Sequence, residues 1–358
     1  MPTKTPKKRT AQIVPKKSTK RHAAIVKKVP ATTLITGGTG FLGSHLVRQL
    51  VESGSKDIRV MATSIPEWLT GLGVDTFEGS ITNEDDVSRA VEGVTEIYHL
   101  AGKVSRDKDD SREMYKLHVE GTRLLCDAAK KAGAKTIVLA SSSGTIAVTE
   151  KGDIVPDENY NPPLDIVARW PYYASKAYQE MAALERFNGD GLRVVIMNPS
   201  LLLGPGDDRL SSTKVVLDFM ARKISAVPNG GLNFVDVRDA AQAFRVAMQK
   251  GRQGERYILG CKNLMLKEVF DILSRLTGVK APSLRLPRSL ILPLAHVNQW
   301  MADMTGYPPR IPLEGVKMAK YRMHYDCSKA LRELGIPQTP PEAALEKAVH
   351  WFRAHGYA

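Results

Sequence analysis

The sequence predicts an α/β fold: a doubly wound parallel sheet of the Rossmann type, followed by a smaller, mostly helical C-terminal substrate-binding region. Three observations lead there. Short β-branched runs alternate with helix-length segments from Val29 onward. A glycine-rich stretch, TLITGGTGFLGSHLV at 33–47, joins the first such run to the first helical one. Finally, 358 residues with 43% hydrophobic and 25% charged content are ordinary for a soluble chain, and enough for a large core without crosslinks.

The strand candidates are ATTLIT (31–36), IRVMA (58–62), VDTF (74–77), TEIYHL (95–100), KTIVLA (135–140) and LRVVIM (192–197). Between them, NEDDVSRAVEG (83–93) reads as a helix with an Asn cap and a closing Gly93. SREMYKLHVEGTRLLCDAAKKAG reads as another, ending at Gly133 with two lysines in its last turn. Strands and helices in this alternation imply a parallel sheet covered on both faces. After about residue 200 strands become scarce and prolines cluster at 282, 287, 293, 308, 309 and 312. One helix is expected to start at Asp236, with Asp239 completing a capping-box-like start, and another to begin at PEAALEKAVHWFRAHG. The division expected is a tail at 1–30, a dinucleotide-binding domain at 31–200 and the substrate-binding region at 201–358, with 236–250 packing back on the first sheet.

Charge is unevenly spread. The formal net charge is +13, but residues 1–30 hold ten Lys or Arg and no acid, leaving 41 basic against 38 acidic residues in the body. That Lys-, Pro- and Thr-rich tail cannot bury enough apolar surface to offset ordering, and is read as disordered. It can contact nucleic acid or an anionic membrane nonspecifically, or simply be a solvated extension. It lacks a signal peptide's apolar core. The longest apolar candidate, SLILPLAHV at 289–297, is shorter than the roughly 18 residues a span needs. The expectation is a cytoplasmic monomer or homodimer. Cys126, Cys261 and Cys327 show no metal-ligand spacing, so no metal is expected.

The spacing Gly37-x-x-Gly40-x-x-Gly43 follows a predicted strand and opens a predicted helix. A helix N-terminus offers unpaired N–H groups and a positive dipole end to a diphosphate. Gly37 permits the turn, Gly40 the approach of a pyrophosphate, and Gly43 close helix–strand packing, with Thr39, Phe41 and Leu42 completing the cofactor-binding stretch. At the end of the second strand stand Thr63 and Ser64, where NAD-binding proteins usually place an acid. No acid is there to repel a 2′-phosphate and no arginine to bind one; two hydroxyls favour NADP(H) over NAD(H).

A second pattern is PYYASK at 171–176. Tyr172 and Lys176 are four apart and share a helix face. An ammonium beside a phenol favours the phenolate, lowering the tyrosine pKa toward neutrality. Upstream, the fifth strand runs into Ser141, Ser142 and Ser143, at the strand ends where doubly wound sheets bind ligands.

These motifs, with YHLAG (98–102), HVEGT (118–122), NPSLLLGPGD (198–207), NFVDVRDAA (233–241), GERYILG (254–260) and the AVHWFRAHGY end, resemble the extended short-chain dehydrogenases/reductases, the NAD-dependent epimerase/dehydratase superfamily. The resemblance covers residues 31–358 and is nearest the dihydroflavonol 4-reductase and hopanoid-associated sugar-epimerase branch. It implies Ser142, Tyr172 and Lys176 as the catalytic group, Ser143 being the alternative serine. Tyr172 would exchange a proton with the substrate oxygen, Lys176 would depress its pKa and hold the nicotinamide ribose, and Ser142 would orient that oxygen. Leu100, Ala101 and Gly102 would line the cofactor's path, Pro199, Ser200 and Leu201 would approach the nicotinamide, and Ser80 and Ile81 would lie toward adenine. Three positions depart from the pattern: Ser80 replaces an acid, His118 an asparagine and Asn198 an arginine. His99 reads as a packed strand histidine.

The implied activity is NAD(P)H-dependent reduction of a ketone or aldehyde on a hydrophobic or aromatic small molecule, with Leu201, Leu202 and Leu203 as apolar surface or plain core. The alternative is a nucleotide-sugar epimerase or dehydratase with retained NAD, its diphosphate met by Arg209, Lys214, Arg222 and Lys223 or those cations left on a solvated face. A nucleotide-sensing protein would need neither Tyr172 nor Lys176.

Overall fold

The structure is a computed structural model and describes residues 32–357 apart from 147, 150–153, 161–163, 187–190, 225, 228, 283–287, 308, 310–312 and 319. The lysine-rich tail therefore lies outside the described residues. Six strands form where the β-branched runs stand: β1 (Thr33–Thr36), β2 (Ile58–Ala62), β3 (Asp75–Glu78), β4 (Glu96–His99), β5 (Thr136–Ala140) and β6 (Arg193–Pro199). A seventh, β9 (Arg256–Leu259), completes a parallel sheet of order β3-β2-β1-β4-β5-β6-β9. The order reverses between β1 and β4, the crevice position of a doubly wound sheet.

Both faces are buried, which is why the strands read as nearly continuous apolar runs. One face packs under the helix Phe41–Glu52 and, beside it, Val237–Lys250, around Leu46, Val47, Val60, Val195 and Phe244. The other face packs Leu34, Ile97, Ile137, Leu139 and Ile196 against helices carrying Val87, Leu125 and Ala183.

Local rules explain the helix limits. Asn83 accepts from the Asp86 N–H and starts Glu84–Ala90, and left-handed Gly133 ends Gly121–Ala132. Asp236 accepts from the Arg238 N–H and starts Val237–Lys250. Asp239 does not complete the expected capping box. Its carboxylate accepts from the N–H and hydroxyl of Thr339, tying the last segment to this helix. The expected helix from Ser111 is interrupted by a π turn, Lys116–Glu120, which carries His118. The C-terminal helix Pro341–Ala354 forms as its pattern predicts.

The later half holds more strand than its sequence suggests. Beyond β7 (Leu201–Leu203), a central β8 (Gly231–Asp236) pairs with β7, β10 (Lys262–Met265) and β11 (Arg322–Met323). These are short, mixed-polarity strands joined from far apart in sequence, so local alternation does not reveal them. Among the described residues no helix is long and apolar enough to cross a membrane; the segment at 289–297 falls in Arg288–Thr305, which contains Pro293.

Candidate active site

The glycine turn is packed hard against the end of β4. Gly37 sits at φ +72°, and a Cβ there would fall 2.5 Å from the Ala101 nitrogen. A Cβ on Gly43 would collide with the Gly37 carbonyl oxygen, so the helix starts directly on the turn. Gly40 differs: its Cβ would meet only that same oxygen, at 3.3 Å, and otherwise project into open space. Gly40 is also the N-cap of Phe41–Glu52, with no side-chain cap and no acid in the first turn. The uncapped N–H groups and the open side at Gly40 fit an approaching diphosphate.

Three side chains distant in sequence meet at the C-terminal end of β5. Ser142, buried just beyond the strand, accepts on its hydroxyl from the Gly144 N–H at 3.3 Å and stands close enough to the Tyr172 phenol to influence its acidity. Pro171 and the helix it begins, Pro171–Glu185, carry Tyr172 and Lys176 on one face. Lys176 is buried, and its Nζ donates to the Ala140 carbonyl at 2.9 Å and to Gln179 Oε1 at 2.9 Å. The expected lysine-driven lowering of the tyrosine pKa is not what the structure shows. Burial raises the Tyr172 phenol above its ordinary range, the neighbouring Tyr173 adds to this, and the nearby Ser142 hydroxyl opposes it. Burial holds Lys176 itself down at about 7, against an opposing pull from Glu180.

Buried polar side chains hold this group in place. Glu180 Oε1 accepts from Ser141 Oγ, from Thr145 Oγ1 at 2.7 Å and from Asn198 Nδ2 at 2.7 Å. Asn198 also donates to the Ser142 carbonyl at 3.1 Å, so the position where an arginine is common braces the serine loop instead. His99 is fully buried between Thr36 Oγ1 at 2.7 Å and Thr122 Oγ1 at 2.9 Å, the packed strand histidine expected. His118 accepts on Nε2 from the Lys103 N–H at 3.1 Å, which leaves Nδ1 carrying the proton donated to Ser175 Oγ at 2.8 Å. Its neutral ring lies edge-on to Tyr172 with centroids 6.0 Å apart. Burial, then Lys176 and His99, drives its pKa down to about 2.

The remaining sequence-selected residues fall as follows. Thr63 and Ser64 are exposed just past β2. Ser80 receives no acid's role; its N–H donates to Asp86 Oδ2 and its hydroxyl pairs with Thr82. Ile81 is buried and packs where Gly121 leaves room. Leu100, Ala101 and Gly102 follow β4 beside Gly37, and a Cβ on Gly102 would stand 2.9 Å from His118 Nε2 and 3.4 Å from Lys176 Nζ. Pro199 ends β6, Leu201 begins β7, and between them Ser200 has a buried hydroxyl without a hydrogen-bond partner. Leu201 and Leu203 join the second-half core and Leu202 the first, whereas Arg209, Lys214, Arg222 and Lys223 are exposed, Lys214 pairing with Asp218.

This arrangement has counterparts. The sequence profile of the NAD dependent epimerase/dehydratase family matches residues 33–260. The chain belongs to that family. A Synechocystis protein with the provisional name dihydroflavonol 4-reductase is 38% identical over 330 residues, covering 90% of this chain and 95% of its own. Sterol demethylase protein B of Methylococcus capsulatus is 33% identical over 332 residues, covering 91% and 99%. The crystal structure of gox2253 superposes with a TM-score of 0.79 at 33% identity, covering 91% of this chain and 99% of that one. A Thermotoga maritima UDP-glucose 4-epimerase with UDP-glucose shares the epimerase/dehydratase fold at a TM-score of 0.70 and 22% identity, covering 90% and 99%.

Sequence reasoning missed the aromatic surroundings of Tyr172. Tyr173 lies 5.4 Å from it between ring centroids, Trp170 packs edge-on to Tyr173 and to Tyr321, and Met323 and Tyr325 join the same cluster. The buried Tyr325 phenol lies near the Ser143 hydroxyl. Trp170 precedes the motif and Tyr173 lies within it, so both were visible; Tyr321 and Tyr325 arrive from about 150 residues downstream with no local signal.

Proposed function

We propose that the protein is a nicotinamide-dinucleotide-dependent oxidoreductase that reversibly reduces the ketone or aldehyde carbonyl of a hydrophobic or aromatic small molecule to an alcohol. The observation that carries the reading is the convergence of the Ser142 hydroxyl and the Tyr172 phenol at the end of β5, beside buried Lys176. The turn at Gly37, Gly40 and Gly43 would hold the cofactor's diphosphate, Leu100 to Gly102 and Pro199 to Leu201 its nicotinamide half, and Ser80 and Ile81 would flank the adenine. Thr63 and Ser64, standing at the end of β2 where an acid is usual, favour NADP(H) over NAD(H). When bound, that cofactor supplies or accepts the hydride.

The chain's own groups supply the rest. Ser142 donates to the substrate oxygen and orients the carbonyl. Tyr172 gives its proton to the same oxygen as negative charge develops there. Its raised pKa keeps the phenol protonated at neutral pH, which suits a donor in the direction of reduction. Lys176, as an ammonium with one N–H to spare, would hold the nicotinamide ribose and offset part of the burial penalty on the phenolate. The rings of Trp170, Tyr173 and Tyr325 exclude water and offer an apolar wall. The names of the two relatives, a provisionally named dihydroflavonol 4-reductase and sterol demethylase protein B, support a hydrophobic ring compound over a sugar nucleotide.

The test is a screen of carbonyl compounds and UDP- and dTDP-sugars with NADH and NADPH in parallel. Consumption of reduced cofactor only with a carbonyl acceptor is expected, and Tyr172→Phe should lower turnover by at least ~100-fold while leaving dinucleotide binding intact. Unchanged turnover in Tyr172→Phe would refute the assignment. Conversion of a sugar nucleotide without added cofactor would replace it with epimerase chemistry.

A further inference from the structure

Gln179 has no place in the reaction just described, yet it is fully buried on the helix that carries Tyr172 and Lys176. Its orientation is fixed by chemistry. Lys176 Nζ can only donate, so Gln179 turns Oε1 toward it, at 2.9 Å. The amide nitrogen then faces Thr122 Oγ1 and donates to it at 2.8 Å. Thr122 in turn meets His99 Nε2 at 2.9 Å, and His99 Nδ1 meets Thr36 Oγ1 at 2.7 Å. Thr36 accepts from the Ala101 N–H at 3.3 Å and is the last residue before Gly37. A continuous buried chain of hydrogen bonds therefore runs from the mouth of the glycine turn to the lysine amine.

An ammonium has three N–H groups. Two are taken by acceptors that cannot donate back, the Ala140 carbonyl and the Gln179 amide oxygen. A single N–H is left for the site. We propose that Gln179 is a positioning residue: its locked amide oxygen holds the Lys176 ammonium in its buried place and fixes the direction of the one remaining donor. The proposal rests on the reading that Lys176 serves Tyr172 and the cofactor ribose.

The groups facing the amine are few. Glu180 and Tyr172 lie on its own helix, His99 comes from β4, and His118 from the π turn. Both histidines are held neutral by burial, so neither sets a positive charge beside the amine. Removing the amide oxygen therefore disfavours the ammonium, and a carboxylate in its place favours it.

The experiment uses the full chain. NADPH and NADH are titrated by calorimetry between pH 6 and 10 in wild type, Gln179→Leu, Gln179→Glu and Lys176→Met, with thermal melts to confirm folding. Wild-type affinity should fall as pH rises and the lysine loses its proton. In Gln179→Leu the midpoint of that fall should move down by about one pH unit, and in Gln179→Glu up by about one. A purely structural role would weaken both variants without moving the midpoints in opposite directions. If Gln179→Leu does not fold, the upward shift in the near-isosteric Gln179→Glu decides alone. Profiles for both variants that superimpose on wild type would overturn the proposal, provided Lys176→Met abolishes the pH dependence. If Lys176→Met keeps wild-type affinity and pH dependence, or if neither dinucleotide binds the wild type, the underlying reading fails as well.

Discussion

Replacing Glu180 by leucine tests how much the serine loop depends on one buried carboxylate. Glu180 is 5% exposed, and its Oε1 serves three donors. An unpaired buried donor costs about 1–3 kcal/mol, but the three are not equally stranded. Thr145 Oγ1 can still donate to the Ser142 carbonyl at 2.8 Å, and Asn198 Nδ2 to that carbonyl at 3.1 Å. The full penalty falls on the Ser141 hydroxyl, with smaller losses from the other two. Arg256, 3.8 Å from Oε2 and 28% exposed, keeps access to water and adds little. Burial raises the Glu180 pKa, which trims the value of its charge. The sum is about 3 kcal/mol, a sizeable part of a typical net stability of about 5–15 kcal/mol. Glu180→Gln keeps an oxygen for the three donors and should lose only about 1–2 kcal/mol. Urea unfolding with unchanged m-value reads both numbers. A leucine variant within about 1 kcal/mol of wild type, or a glutamine variant less stable than the leucine one, would refute the account.

Two further outcomes follow from local geometry. Gly43→Ala drives a Cβ into the Gly37 carbonyl oxygen; forced packing of this kind costs about 1–3 kcal/mol, and dinucleotide affinity by calorimetry should drop at least ~10-fold, that being the affinity equivalent of about 1.4 kcal/mol. His99 and His118, held down to about 3 and about 2, refuse protons that the unfolded chain accepts below about pH 6.5. Their contribution to stability is complete above that pH and is lost as pH falls through the acid range, by up to about 1.4 kcal/mol per pH unit for each. Unfolding curves at pH 7, 6 and 5 should show a shallower acid slope for His118→Asn, and an identical slope would count against the assignment.

The central sheet was legible because its strands are buried on both faces and read as nearly continuous apolar runs, IRVMA and TIVLA among them. The site was legible where chemistry demands a residue type at a fixed spacing. Glycines at 37, 40 and 43 are needed because backbone meets backbone there, and Tyr172 and Lys176 share a face by helical period alone. What could not be read depends on contacts between distant segments. Asp239 has a capping partner at the right spacing, but Thr339, a hundred residues on, takes its carboxylate. The tyrosine pKa followed the lysine's spacing in expectation; in the fold it follows burial and the neighbouring Tyr173. Strands as short as Arg322–Met323 exist only because β8 is there to pair with them.

Chain order places β9 of the large sheet after β8 of the small one, while β7 of the small sheet follows β6 of the large without a helix between. The two sheets are therefore laced together rather than set end to end. A ribosome that has released the first two hundred residues has delivered six of seven rungs, with β6 still an open edge. Closure of that edge must wait for Arg256–Leu259, and the small sheet waits longer still, for Arg322–Met323. A scissile cut near residue 200 should thus yield fragments that aggregate apart and recover native signal only when mixed.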